Sequence, residues 1–162
     1  MYLKKIKLIK KICGDKEINI SLAESCTGGL LSSLFTQIPG SSQFFDSSYI
    51  VYSNKSKINV LRVPSLIIKE YGAVSKVTSL HMARSLYKKT KTNIVLSITG
   101  VAGPDGGTKN SPVGTVFFTL GSKNNQKISY KTFHKKFGNI GRKQIQQKSV
   151  LFAIDQIIKI IS

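Results

Sequence analysis

Residues 17–35, EINISLAESCTGGLLSSLF, decide how this chain folds. Glu17 to Leu22 alternates loosely between polar and apolar side chains, the two-residue period of a strand. Ala23-Glu24-Ser25-Cys26-Thr27-Gly28-Gly29 then gathers small and polar residues into a turn. Leu30 to Phe35 reads as helix until Pro39 and Gly40 stop it.

Outward from that unit the same alternation repeats. Leu3, Ile6, Leu8, Ile9 and Ile12 predict one face of an opening helix, stopped by Gly14. Ser48 to Tyr52 is β-branched and aromatic, hence a strand, and a basic stretch from Asn54 to Leu61 follows. Pro64 opens a helical segment as far as Tyr71, and Ser75 is placed to N-cap a helix to about Lys89. Asn93 to Ile98 has the short apolar run of a strand buried on both faces. It leads into a glycine-rich loop, Thr99 to Thr108, with no helical pattern after it. Val113 to Leu120 and Lys127 to Phe133 predict a hairpin across Gly121 to Gln126, and a closing amphipathic helix follows Ile140. Helices alternating with strands, then a hairpin, predict an α/β fold: a mixed sheet with helices on both faces. The 162 residues fit a single domain, residues 1–162, large enough to bury a core without metals or disulfides.

The formal net charge of +18 invites a nucleic-acid reading. Of the 25 basic residues, however, 22 are lysine, scattered over every segment, and only Arg62, Arg84 and Arg142 are arginine. Arginine is the side chain suited to bidentate phosphate and base-edge recognition. A solvated basic surface is therefore the expectation, and nucleic acid is not the expected partner. No stretch approaches the ~20 apolar residues a bilayer requires, and the N-terminus mixes lysine with apolar residues, unlike a signal peptide. A cytoplasmic protein without a membrane partner is expected. Two cysteines, two histidines and seven dispersed acids offer no metal constellation.

Chemistry is expected outside the strand ends, where both small-residue turns lie. After Ser25, the backbone amides of Thr27, Gly28 and Gly29 are expected at the positive end of a helix dipole, suited to an oxyanion or a phosphate. An ordinary capped helix start fits the same residues. A serine needs a base, and neither His81, in mid-helix, nor His134, among lysines, is well placed. A lysine is the remaining option, yet among 22 spacing alone selects none. Gly100 to Thr108 has glycine amides for a phosphate or ribose, or is a plain long turn.

Six segments in order, AESCTGG (23–29), IPGSSQFF (38–45), YSNKSK (52–57), YGAVS (71–75), TGVAGPDGG (99–107) and PVGTV (112–116), with FGNIGR (137–142), resemble the CinA C-terminal domain family, the nicotinamide-nucleotide amidohydrolases of PncC type. The resemblance implies a three-layer α/β/α sandwich with a mixed, mostly parallel sheet, assembled as a homodimer. It implies deamidation of nicotinamide mononucleotide to nicotinate mononucleotide and ammonia, with no cofactor. Ser25 matches the nucleophile and Lys57 the base, with Tyr52 a third catalytic residue expected to orient Lys57 or relay its proton. Thr99, opening the loop that holds Gly100 and Gly106, and Arg142 match residues around the substrate, Arg142 as a phosphate partner. The chain departs from the family pattern at Ser47, Ser48, Lys55, Arg62 and Gln146; Arg62 stands where glycine is common, Gln146 where a second arginine is usual. Two other readings fit a drifted, lysine-rich chain: a non-catalytic nucleotide-binding module, and a basic accessory protein for nucleic acid.

Overall fold

The computed structural model describes residues 2–162. Five strands, β1 (Ile20–Glu24), β2 (Phe45–Ile50), β3 (Ile94–Gly100), β4 (Thr115–Asn124) and β5 (Lys127–Lys136), form one sheet in the order β2-β1-β3-β4-β5. β1 pairs in parallel with β2 and β3, and the β3–β4 and β4–β5 pairings are antiparallel. β4 alone therefore runs against the other four, so the sheet is mixed and mostly parallel in direction. Among the described residues there are six α-helices, α1 (Tyr2–Lys16), α2 (Leu30–Thr36), α3 (Asn54–Asn59), α4 (Ser65–Tyr71), α5 (Lys76–Thr90) and α6 (Arg142–Ile161), and one 3-10 turn at Ser41–Gln43.

The two-residue period of the strands builds two different cores. Ile20 and Leu22 of β1, Ile94, Leu96 and Ile98 of β3, and Val116, Phe118 and Leu120 of β4 join the apolar faces of α1, α2 and α6. The opposite face, under α4 and α5, is smaller and more polar. There Ala23 and Val95 meet Met82, Ala83 and Leu86, and Ser79, Ser97, Thr119 and Thr132 form a chain of hydroxyl contacts of 2.9–3.2 Å. Each hydroxyl of that chain finds a partner, as burial demands. The result is a three-layer α/β/α sandwich.

Four local expectations need correction. α1 runs through Gly14 to Lys16 and ends where Glu17 takes a left-handed backbone (φ 53°). β2 spans Phe45–Ile50 rather than 48–52, because Val51 onward leaves the sheet to enter α3. The basic stretch after Asn54 is that helix, opened by a capping box in which Ser53 and Ser56 bond each other's backbone amides. Finally, the hairpin turn is Asn125-Gln126, with Asn125 left-handed (φ 54°). Gly121 lies inside β4, where a Cβ would come within 2.7 Å of Val95 and 2.8 Å of the Tyr130 ring.

Gly114, just before β4, is more tightly constrained. Its φ is +91°, and a Cβ there would collide with the backbone of Gly138. Gly114→Ala is expected to cost at least ~2 kcal/mol through strain and backbone displacement, lowering the melting temperature by roughly 4–8 °C in a chain of this size. A thermal melt checks this; an unchanged midpoint contradicts the assigned close approach.

Candidate active site

The parallel strands β1 and β3 end side by side, and Ser25 follows β1 directly, its amide donating to the Ile98 carbonyl at 3.0 Å. The turn beyond it is shaped by Glu24. This carboxylate is fully buried and accepts from the amides of Gly29 (3.2 Å), Leu31 (3.2 Å) and Ser32 (2.8 Å). It occupies the start of α2, satisfying the amides that a helix N-terminus leaves unpaired. The Gly28 amide donates to the Ser25 carbonyl at 3.0 Å. The expectation that Gly28 and Gly29 offer free amides is therefore overturned: Glu24 and the turn itself use them. Cys26 and Thr27 have the amides left without a backbone acceptor among the described residues.

Gln146 bears on one of these. Its Nε2 donates to the Cys26 carbonyl at 2.9 Å. The carbonyl and amide of a trans peptide point in opposite directions, so this bond also fixes the direction of the Thr27 N–H. The Thr27 side chain is buried, and its hydroxyl has no partner among the described residues.

Lys57 reaches the same point from α3. Its Nζ lies 2.9 Å from Ser25 Oγ, 2.9 Å from the Val51 carbonyl and 3.2 Å from the Tyr52 carbonyl. The residue is 1% exposed, and burial, which penalises the ammonium, lowers its pKa from 10.5 to about 8. The short α3 is what aims it: Ser53 caps the helix, and the Lys57 carbonyl is tied down by the Val63 amide.

Ser25, Cys26, Tyr52, Gly103, Asp105 and Arg142 line a cavity of about 210 Å³, whose wall includes Gly100 and Gly106. Arg142 opens α6 and bridges the mouth, donating Nη1 to the Gly103 carbonyl (2.8 Å) and Nη2 to the Tyr52 hydroxyl. That hydroxyl is engaged by arginine, and Tyr52 touches Lys57 through its carbonyl, so a proton relay through the phenol is not what the geometry offers. Thr99 is also placed elsewhere. It is 1% exposed, its Oγ1 donates to the Ala73 carbonyl (2.8 Å), and it is absent from the cavity wall. Along β3, Thr99 shares the α5-facing side with Val95 and Ser97, which turns it from the cavity. Gly100 is confined by β4, since a Cβ would lie 2.7 Å from the Thr115 carbonyl. Sequence reading passed over Glu24, Asp105 and the role of Gln146. A lone acid directly before a small-residue turn was the available signal for Glu24.

The fold and site together define a three-layer α/β/α protein with a buried serine–lysine pair at the ends of its parallel strands. The chain belongs to the CinA family: the family model described as CinA C-terminal domain matches residues 4–161. A CinA-like protein of Fusobacterium nucleatum is 40% identical over 92% of this chain, and one of Prochlorococcus marinus is 42% identical over 93%. Those matches cover 35% and 34% of the relatives, so the chain spans about a third of their length. Among solved structures, the competence/damage inducible protein CihA of Agrobacterium tumefaciens superimposes with a TM-score of 0.92 at 31% identity, covering 99% of this chain and 96% of that one. A CinA superfamily protein of Enterobacter cloacae gives 0.90 at 26% identity, covering 100% and 93%.

Glu24 is the hinge of the turn, and its removal tests that. Glu24→Ala leaves three amides without their acceptor, at ~1–3 kcal/mol for each buried unpaired group. A loss of at least ~3 kcal/mol in denaturant unfolding is expected. A stability within ~0.5 kcal/mol of the parent would show that the carboxylate is dispensable.

Proposed function

We propose that this chain is a nicotinamide-nucleotide amidohydrolase, converting nicotinamide mononucleotide to nicotinate mononucleotide and ammonia. The observation that carries the reading is the 2.9 Å contact between Lys57 Nζ and Ser25 Oγ at the edge of a cavity that also holds Arg142. The family resemblance supplies the substrate.

The chemistry follows from the proton count at Lys57. A neutral amine has two hydrogens and one lone pair. The Val51 and Tyr52 carbonyls take the two hydrogens, which leaves the lone pair for the Ser25 hydroxyl. With a pKa of about 8, about one lysine in ten is neutral at pH 7; an ordinary lysine near 10.4 manages about one in a few thousand. Lys57 takes the Ser25 proton as Oγ bonds to the carboxamide carbon. The amides of Cys26 and Thr27 are the donors at hand for the oxyanion, a role worth ~3–4 kcal/mol per donor in comparable sites. Lys57 then returns the proton to the leaving nitrogen, the C–N bond breaks, and ammonia departs. Water, deprotonated by Lys57, attacks the acyl carbon; Lys57 passes that proton to Ser25 Oγ as the Ser25–acyl bond breaks, which restores the pair and releases the nicotinate carboxyl group. Arg142 serves the phosphate, exchanging its contacts with Tyr52 and Gly103 for the ligand; that binding energy orients the amide.

Purified protein incubated with nicotinamide mononucleotide is expected to release ammonia, and Ser25→Ala to abolish the release with the fold intact. Lys57→Met should lose at least ~100-fold in turnover, Lys55→Met far less. Because the neutral lysine is the active form, kcat/KM should rise with pH through about 8 and then level. No ammonia from the parent protein, or equal losses at the two lysines, would overturn the reading.

A further inference from the structure

A second concavity shares no residue with the Ser25 cavity. It lies between the turn after α3 and the outer face of α5, with a volume of about 440 Å³. Five basic side chains line it: Arg62, His81, Arg84, Lys88 and Lys89. No acid is among its lining residues, and the ion pair recorded among the described residues, Lys5–Asp155, is not one of its groups.

Local structure explains the gathering. His81, Arg84 and Lys88 follow at three- and four-residue spacing and so share one face of α5. Arg62 is delivered from across the groove by a left-handed backbone (φ 66°), a conformation uncommon for a residue with a side chain. Its carbonyl accepts from Ser85 Oγ at 3.3 Å, which ties that turn to α5. Arg84 is steadied over the Tyr130 ring and Lys89 over the Tyr49 ring, 5.8 and 5.5 Å from the centroids. Lys88 and Lys89 have an ordinary reason to be here, since both lie in the last turn of α5, where cations favour the helix dipole. Arg62 and Arg84 have no such reason. They are two of the chain's three arginines, the residue type suited to bidentate phosphate contacts, and among the described residues no carboxylate pairs with either of them. Like charges held around a concave wall focus a positive potential that a polyanion would relieve. His81 reports that field, its pKa lowered by burial, then by Arg84 and Lys88.

We infer that this groove binds a small polyphosphate, two or more linked phosphate groups such as those of a nucleoside diphosphate or triphosphate. His81 and Lys88 are seven residues apart, about 10 Å along the helix axis, more than one phosphate covers. The basic groups surround a pocket walled by Leu61 and Pro64 rather than following a long stripe. Tyr130 and Tyr49 already stack against Arg84 and Lys89, so they are not free platforms for unpaired bases. Both features favour a compact anion over a polynucleotide strand.

The test is calorimetric titration of the full chain with inorganic tripolyphosphate, repeated with adenosine triphosphate. Arg62→Gly with Arg84→Gln should weaken tripolyphosphate binding at least tenfold. Glycine suits the left-handed position, so the fold is retained; the single Arg84→Gln variant gives the same comparison, at least threefold, should the double variant unfold. Lys4→Gln with Lys11→Gln removes the same charge from exposed positions on α1 and should change affinity less than twofold. His81 should titrate at higher pH with tripolyphosphate bound, while His134, stacked on Phe117, should not move. Tighter binding of the nucleotide than of tripolyphosphate, lost in the arginine variant, would place the base in the groove as well. Equal losses in the two double variants, no binding, or binding of a single-stranded oligonucleotide but not of tripolyphosphate would each overturn the inference.

Discussion

The site depends on one amine held by three oxygens. Lys57 Nζ sits among Ser25 Oγ and the carbonyls of Val51 and Tyr52, with no carboxylate in ion-pair range among the described residues. Burying an ammonium without a counter-ion is costly, and a protein resolves the cost by releasing the proton. The environment that makes Lys57 expensive as a cation is thus the one that makes it useful as a base. Two carbonyls consume its hydrogens, and the third direction is left to the serine.

Everything that converges on that nitrogen is set by the sheet. Because β1 and β3 are parallel neighbours, their ends expose Ser25 and the loop from Gly100 on one side of the molecule. β2, the parallel edge strand beside β1, releases the chain at Val51 so that α3 can send Lys57 back underneath. Glu24 then keeps the start of α2 from competing for a ligand: its carboxylate already fills the position that an anion would take. Gln146 holds the Cys26–Thr27 peptide from the opposite side. α6 thereby serves both ends of the site, with Arg142 at the mouth and Gln146 at the turn.

The order strand, turn, helix within 17–35 was legible from turn chemistry, but the loose alternation at 17–22 misplaced the strand: β1 is Ile20–Glu24, buried at every residue, and takes Ala23 and Glu24 from the expected turn. Ser75 capping α5 and the double-faced burial of β3 were legible because hydrophobic period and turn chemistry agreed there. α3 escaped notice because a six-residue helix containing two lysines has no apolar stripe to read, and its capping box uses Ser56 in place of the usual Glu or Gln. Gly121 passed for a turn residue although its role is to make room for Val95 and Tyr130, a tertiary matter. At the site, periodicity and spacing delivered Ser25 to a turn but could not choose among 22 lysines; the family resemblance chose Lys57. The resemblance put Thr99 beside the substrate, but its place in the alternation of β3 turns it toward Ala73. Glu24 acquires its meaning only when the amides of Gly29, Leu31 and Ser32 close around it.

The central claim is that Lys57 is a buried lysine neutral enough to accept a proton from Ser25. The most direct measurement is an NMR pH titration of selectively labelled lysine, with the Lys57 resonance assigned by its loss in Lys57→Met. A midpoint near 8, well apart from the other lysines, is the result this account predicts. A midpoint near 10.4, the value of a lysine in water, would contradict it.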